Sequence, residues 1–147
     1  MIPALVLAGS FLILRAAGWA GVDALDNWVT PLRYALAAMF LLTASAHWGR
    51  GRQDLVRMVP AIFPAPALLV AVTGILEILG AIGLLIPYTA PAAAICLAIL
   101  LVAMFPANIH AARKSLTIRG RAATSLGPRT VLQVIFVAAL VAAVLSA

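Results

Sequence analysis

Five apolar runs, at about residues 2–20, 29–48, 67–87, 91–111 and 130–147, occupy most of this 147-residue chain and leave only short connections between them. A run of about 20 apolar residues is what an α-helix needs to cross the hydrocarbon core, where its backbone must satisfy its own hydrogen bonds. Hydrophobic residues make up 65% of the sequence, against roughly half in a water-soluble domain. The expected fold is therefore all-α: a polytopic membrane helix bundle of five spans, forming a single membrane domain over residues 1–147. The first run reads as a retained helix, because a signal peptide carries its positive charge ahead of the apolar stretch and here Arg15 comes late.

Charge placement sets an orientation. Of the ten Lys and Arg residues, eight (Arg50, Arg52, Arg57, Arg113, Lys114, Arg119, Arg121 and Arg129) follow the second and fourth runs, while Asp23 and Asp26 occupy the first connection. The positive-inside rule then places the amino terminus in the cytoplasm and the carboxyl terminus outside, in a cell (inner) membrane. The net charge of +6 is explained by that signal, so no nucleic-acid role is read from it. A single cysteine, Cys96, excludes an internal disulfide or a CxxC pair.

Local signals refine the picture. Asp26-Asn27-Trp28 ahead of Pro31 reads as a helix start with a tryptophan at the interface. Prolines 60, 64 and 66 break residues 49–66, which predict a short interfacial helix near residues 53–58 and then an extended stretch against the membrane. Tyr88-Thr89-Ala90, between Pro87 and Pro91, predicts a tight antiparallel hairpin, and Pro106 predicts a kink with a free carbonyl near Val102. The last run carries Gln133 near its start and the small residues Ala138, Ala139, Ala142 and Ala143, which suit close helix packing.

Glu77 is the only charge in residues 67–86 and lies almost at their midpoint. A charged side chain at a helix centre costs roughly 2.5–3.5 kcal/mol on insertion scales, so it faces a bundle interior, finds a partner or takes up a proton. At helical spacing it shares a face with Thr73, Gly80 and Leu84, flanked by Gly74 and Ala81. Arg15 leaves its helix tilted toward the depth of Glu77 and is a candidate partner; the alternative is that it snorkels outward past Trp19. His47, Asn108 and His110 fall at the cytoplasmic end of their spans, and Thr43 lies one turn deeper than His47. With Thr73 and Glu77 they predict a polar track, and a ligand-sized cavity bounded by His47, Thr43, Glu77, Thr73 and Asn108. The alternative is that these groups only satisfy one another between packed helices. Two histidines without cysteine, acidic neighbours or ligand spacing argue against haem or a metal.

Taken together, the residues 40–47, Arg57-Met58-Val59-Pro60, Phe63-Pro64, Thr73-Gly74 with Glu77 and Gly80, Leu85-Ile86-Pro87 and Phe105-Pro106-Ala107-Asn108 make a pattern that resembles the DoxX-like membrane proteins. The resemblance covers about residues 31–145 and implies a four-helix core to which the first span is an additional amino-terminal helix. It implies a small subunit or accessory of a membrane redox system, with a partner redox enzyme and a quinone- or lipid-like ligand. The paired cysteines of more distant four-helix relatives, such as the vitamin K epoxide reductase-like proteins, are absent. No catalytic residue is carried over. Two other readings stay open: a non-catalytic anchor or assembly factor, and a small-molecule transporter, for which five helices without repeats require a homo-oligomer.

Overall fold

The computed structural model describes residues 2–114, 117–118, 121–122 and 125–145. In chain order it has α1 (Ile2–Trp19), a 3-10 turn (Asp23–Leu25), α2 (Val29–Ser45), α3 (Arg52–Met58), α4 (Pro66–Leu85), α5 (Ala90–Arg113), β1 (Thr117–Ile118), β2 (Arg121–Ala122) and α6 (Leu126–Leu145). The strands are two residues each and pair antiparallel, Thr117 with Ala122 and Ile118 with Arg121. They form a small hairpin on an otherwise all-α bundle. Arg119, one of the basic residues used for orientation, lies outside the described residues.

Four helices, α1, α4, α5 and α6, are long and apolar enough to cross a membrane, so the molecule is a multi-pass helical membrane protein. Four helices rather than the expected five meet that length: α2 is an apolar helix of 17 residues and falls short of it. The apolar run extends to Trp48, but the helix ends at Ser45, and the His47 N–H bonds the Ala44 carbonyl at 2.9 Å in a tightening turn. This short helix is nevertheless the centre of the bundle. Packing against α1, α4 and α6, it buries Ala35, Leu36, Ala37, Met39, Phe40 and Ala44 almost completely.

Each connection has a chemical cause. Asn27 Oδ1 accepts from the Thr30 N–H at 2.8 Å, capping the first turn of α2. Gly18 lets α1 close onto the backbone of Leu25, where a Cβ would meet the carbonyl oxygen. At the far end of α4, Thr89 Oγ1 donates to the Gly83 carbonyl at 2.9 Å, satisfying a helix-end acceptor within the predicted hairpin. Gly83 then lies so near Ala93 that an added Cβ would sit 2.7 Å from that methyl. The predicted interfacial helix is α3, packed on α4 and α5. The turn at His47 lies against Gly74, about two helical turns into α4.

Candidate functional site

α4 buries Val70, Gly74, Glu77, Ala81 and Leu84, a stripe whose spacing alternates between four and three residues, with Gly80 beside it. Small residues in it bring neighbouring helices within backbone reach. A Cβ on Gly74 would lie 2.7 Å from His47 Cβ and Cγ and from the Trp48 ring, and one on Gly80 would lie 2.5 Å from the Leu97 side chain. Gly74 is therefore what admits the His47–Trp48 turn of the chain to the side of Glu77.

The Glu77 carboxyl faces inward, with the residue 3% exposed. Its Oε2 lies 2.8 Å from Thr43 Oγ1, which also lies 3.0 Å from the Phe40 carbonyl. One hydroxyl proton serves one of these acceptors at a time. A carboxylate takes that proton, whereas a carboxylic acid donates to Oγ1 and leaves Thr43 to bond Phe40. His47 Nδ1 lies 3.3 Å from the Thr43 carbonyl and 4.0 Å from the same Glu77 oxygen, and His47 is buried at 6% exposure. The Thr43 hydroxyl can thus turn from one acceptor to the other without moving a helix.

Of the predicted site residues, Thr43, His47 and Glu77 come together and the others do not. Thr73 is half-buried and bonds the Leu69 and Val70 carbonyls of its own helix, at 2.9 and 3.1 Å, so the predicted polar track breaks there. Arg15 is not the partner of Glu77. Its Nη1 donates to the carbonyls of Leu25, Asp26 and Asn27, at 2.8, 2.6 and 3.1 Å, and its guanidinium lies 5.1 Å from the Trp19 ring centroid. The physical reason is topological: α1 packs on α2, and the carbonyls of the first connection offer Arg15 acceptors that a path through the bundle cannot match. His110 is half-buried near the end of α5, where no hydrogen bond links it to either Asn108 or Glu77. Among the described residues, no group of three His, Cys, Asp or Glu is arranged to hold a metal.

Asn108 belongs to a second polar site. Arg129 Nη1 donates to its Oδ1 at 2.9 Å, joining α5 to α6. One turn deeper, Gln133 Nε2 donates to the Leu101 carbonyl at 2.6 Å, in the stretch of α5 just ahead of Pro106. These three polar residues, with Pro3, Leu101, Leu132 and Phe136, line a cleft of about 230 Å³. Neither Glu77 nor His47 lines it, so Asn108 is parted from the residues expected to share a cavity with it. Arg129 and Gln133 were missed as site residues for different reasons. The arginine counts as a loop charge until α6 is seen to begin at Leu126, and Gln133 stands as a lone polar residue until α5 is placed beside it.

A third feature lies at the same end of the bundle, a cleft of about 410 Å³ between α3 and the first turn of α4, lined by Arg52, Gln53, Val56, Arg57 and Ala67. No curated protein and no solved structure matches the chain. One family model does, over residues 36–145, a stretch that runs from the middle of α2 to the end of α6 and holds the Glu77 cluster, Asn108, Arg129 and Gln133. The chain belongs to the family described as a domain of unknown function, DUF8561.

Proposed function

We propose that the protein is a small accessory subunit of a membrane redox system that holds a quinone- or lipid-like headgroup between α5 and α6. The observation that carries this reading is the α5–α6 cleft, where Asn108, Arg129 and Gln133 stand over Leu101, Leu132 and Phe136. A few convergent polar groups on an apolar floor suit a ligand with a carbonyl-bearing head and an apolar tail. The redox assignment rests on the DoxX-like resemblance. The Thr43–Glu77–His47 cluster would serve such a system as a proton-holding element, since quinone chemistry exchanges protons with buried groups.

In this reading all five helices other than α3 cross the bilayer, within one membrane domain. α2 is short because the His47–Trp48 turn is inset against Gly74. The amino terminus is cytoplasmic and the carboxyl terminus is outside. Cysteine labelling checks this: Cys at Ala24 reacts with an impermeant reagent in intact cells and Cys at Ala122 does not, and the opposite pattern reverses the orientation.

A second reading, an anchor or assembly factor, is favoured by the closure of the Glu77 cluster between packed helices. Purification in mild detergent followed by mass spectrometry of co-purifying molecules separates the two. The first reading expects a quinone bound at near-equal stoichiometry and lost from the N108L/Q133L double variant. A stoichiometric partner protein without any quinone supports the anchor and removes the first reading.

A further inference from the structure

The segment from Gly49 to Pro66 is not used by the proposed function. It carries Arg50, Arg52 and Arg57 against Asp54 alone, three positive charges against one negative, a net of +2. Asp54 pairs with Arg57 along α3, and its side chain is 13% exposed whereas that of Arg57 is 61% exposed. Arg52 and Arg57 line the 410 Å³ cleft with Gln53, and no carboxylate lines it. Guanidinium groups offer planar pairs of donors that match the oxygens of a phosphate, and an amide beside them adds a further donor.

The surroundings choose the source of that phosphate. Ile62 is 85% exposed and Leu68 62% exposed, and Trp48, Phe63 and Leu69 are also exposed. This apolar surface flanks the basic cleft where α4 begins, which is where acyl chains lie below a headgroup. A free phosphate ion makes no use of it.

We propose that the cleft between α3 and α4 holds the phosphate of an anionic phospholipid headgroup, with Arg52 and Arg57 as its ligands and the exposed residues around Ile62 and Leu68 against the acyl chains. The site is separate from the α5–α6 cleft, and its existence does not depend on a quinone there.

The test uses the full-length protein in detergent, offered equimolar phosphatidylglycerol and phosphatidylcholine of the same chain length, with bound lipid read by native mass spectrometry. The expected result is a clear preference for phosphatidylglycerol, lowered about fivefold by R52Q and by about the same factor by R57Q, in line with the usual contribution of one basic residue at an anionic surface. R113Q, at an exposed arginine on the same end of the bundle that does not line the cleft, leaves the preference unchanged. Because Arg57 also pairs with Asp54, R57K replaces R57Q if the latter lowers the unfolding temperature, and is expected to retain more of the preference than R52Q. Millimolar inorganic phosphate does not displace the lipid. Equal binding of the two lipids overturns the proposal. So does an equal loss in R113Q, which makes the attraction a diffuse field. Displacement by inorganic phosphate assigns the cleft to a soluble ligand and overturns the lipid assignment.

Discussion

Along the seam between α2 and α4, a glutamate, a threonine and a histidine close on one another beside Gly74, whereas along the seam between α5 and α6 an arginine, an asparagine and a glutamine line a cleft of about 230 Å³. The residue types are comparable in polarity; the packing around them is not. Glycines at 74 and 80 let α4 approach its neighbours closely, while at the second seam Leu132 and Phe136 line the cleft beside Gln133, whose amide reaches the Leu101 carbonyl. The polar groups of the first seam meet one another between packed helices and those of the second line a cleft; in the proposed function the first would store a proton and the second would meet the ligand.

The largest effect is expected where the closed seam loses its charge-bearing group. Glu77→Ala removes the acceptor of Thr43 and leaves a hole, and should destabilise the bundle by about 3 kcal/mol, the range for losing a buried polar contact together with buried volume. Glu77→Gln keeps the shape and a hydrogen bond to Thr43, so it should fold nearly as well. Thermal unfolding in detergent, followed by circular dichroism, checks both; equal losses in the two variants would show that the seam is held by volume alone.

Next comes Gly74→Ala. Its methyl meets the base of the His47 side chain at 2.7 Å, an attachment that cannot swing aside. A loss of about 2 kcal/mol is expected, as for overpacking of a tight interior. Gly127→Ala, with nothing within 4 Å of the added methyl, is the control that should change little. A smaller effect belongs to Thr43→Val, about 1 kcal/mol for one hydrogen bond. In a double-mutant cycle Thr43 and Glu77 should couple, whereas Arg15→Leu and Glu77→Gln should add within about 0.5 kcal/mol, because they share no partner. Coupling between Arg15 and Glu77 would restore the ion pair that the structure replaces with backbone carbonyls.

The smallest stability effects are expected in the open seam. Gln133→Leu should cost less than about 1 kcal/mol, the usual scale of an interhelical hydrogen bond in a membrane, while ligand retention falls about tenfold. A large loss of stability without loss of ligand would make the second seam a structural joint like the first.

The two seams were unequally legible in the sequence. Glu77 stands as one charge in a long apolar run, and the small residues at its helical spacing mark the face it shares, so its inward orientation is legible; its contact with Thr43 and His47 corresponds to the alternative reading, in which these groups satisfy one another between packed helices. The partner of Arg15 was not legible, because sequence gives the depth of a residue along its helix but not which helices are neighbours; α1 meets α2, and the acceptors at Leu25 to Asn27 were nearer. The same gap misplaced Asn108, whose depth matched His47 while its side of α5 faced α6. Helix ends shifted for local reasons. α2 stops at Ser45 because the chain tightens at His47, and α6 begins at Leu126, ahead of Pro128, which fits in a first turn where its missing N–H costs nothing.

The measurement that bears most directly on the contrast is photo-crosslinking of the purified protein with a quinone analogue, followed by peptide mapping. Labelling is expected on the α5 and α6 peptides that carry Leu101, Asn108 and Gln133, lost in the N108L/Q133L variant and unchanged in Glu77→Gln. Labelling centred on Thr43, His47 and Thr73 that Glu77→Gln abolishes would contradict the account, since it would mean that the closed seam opens to admit the ligand and that the cleft between α5 and α6 does not hold it.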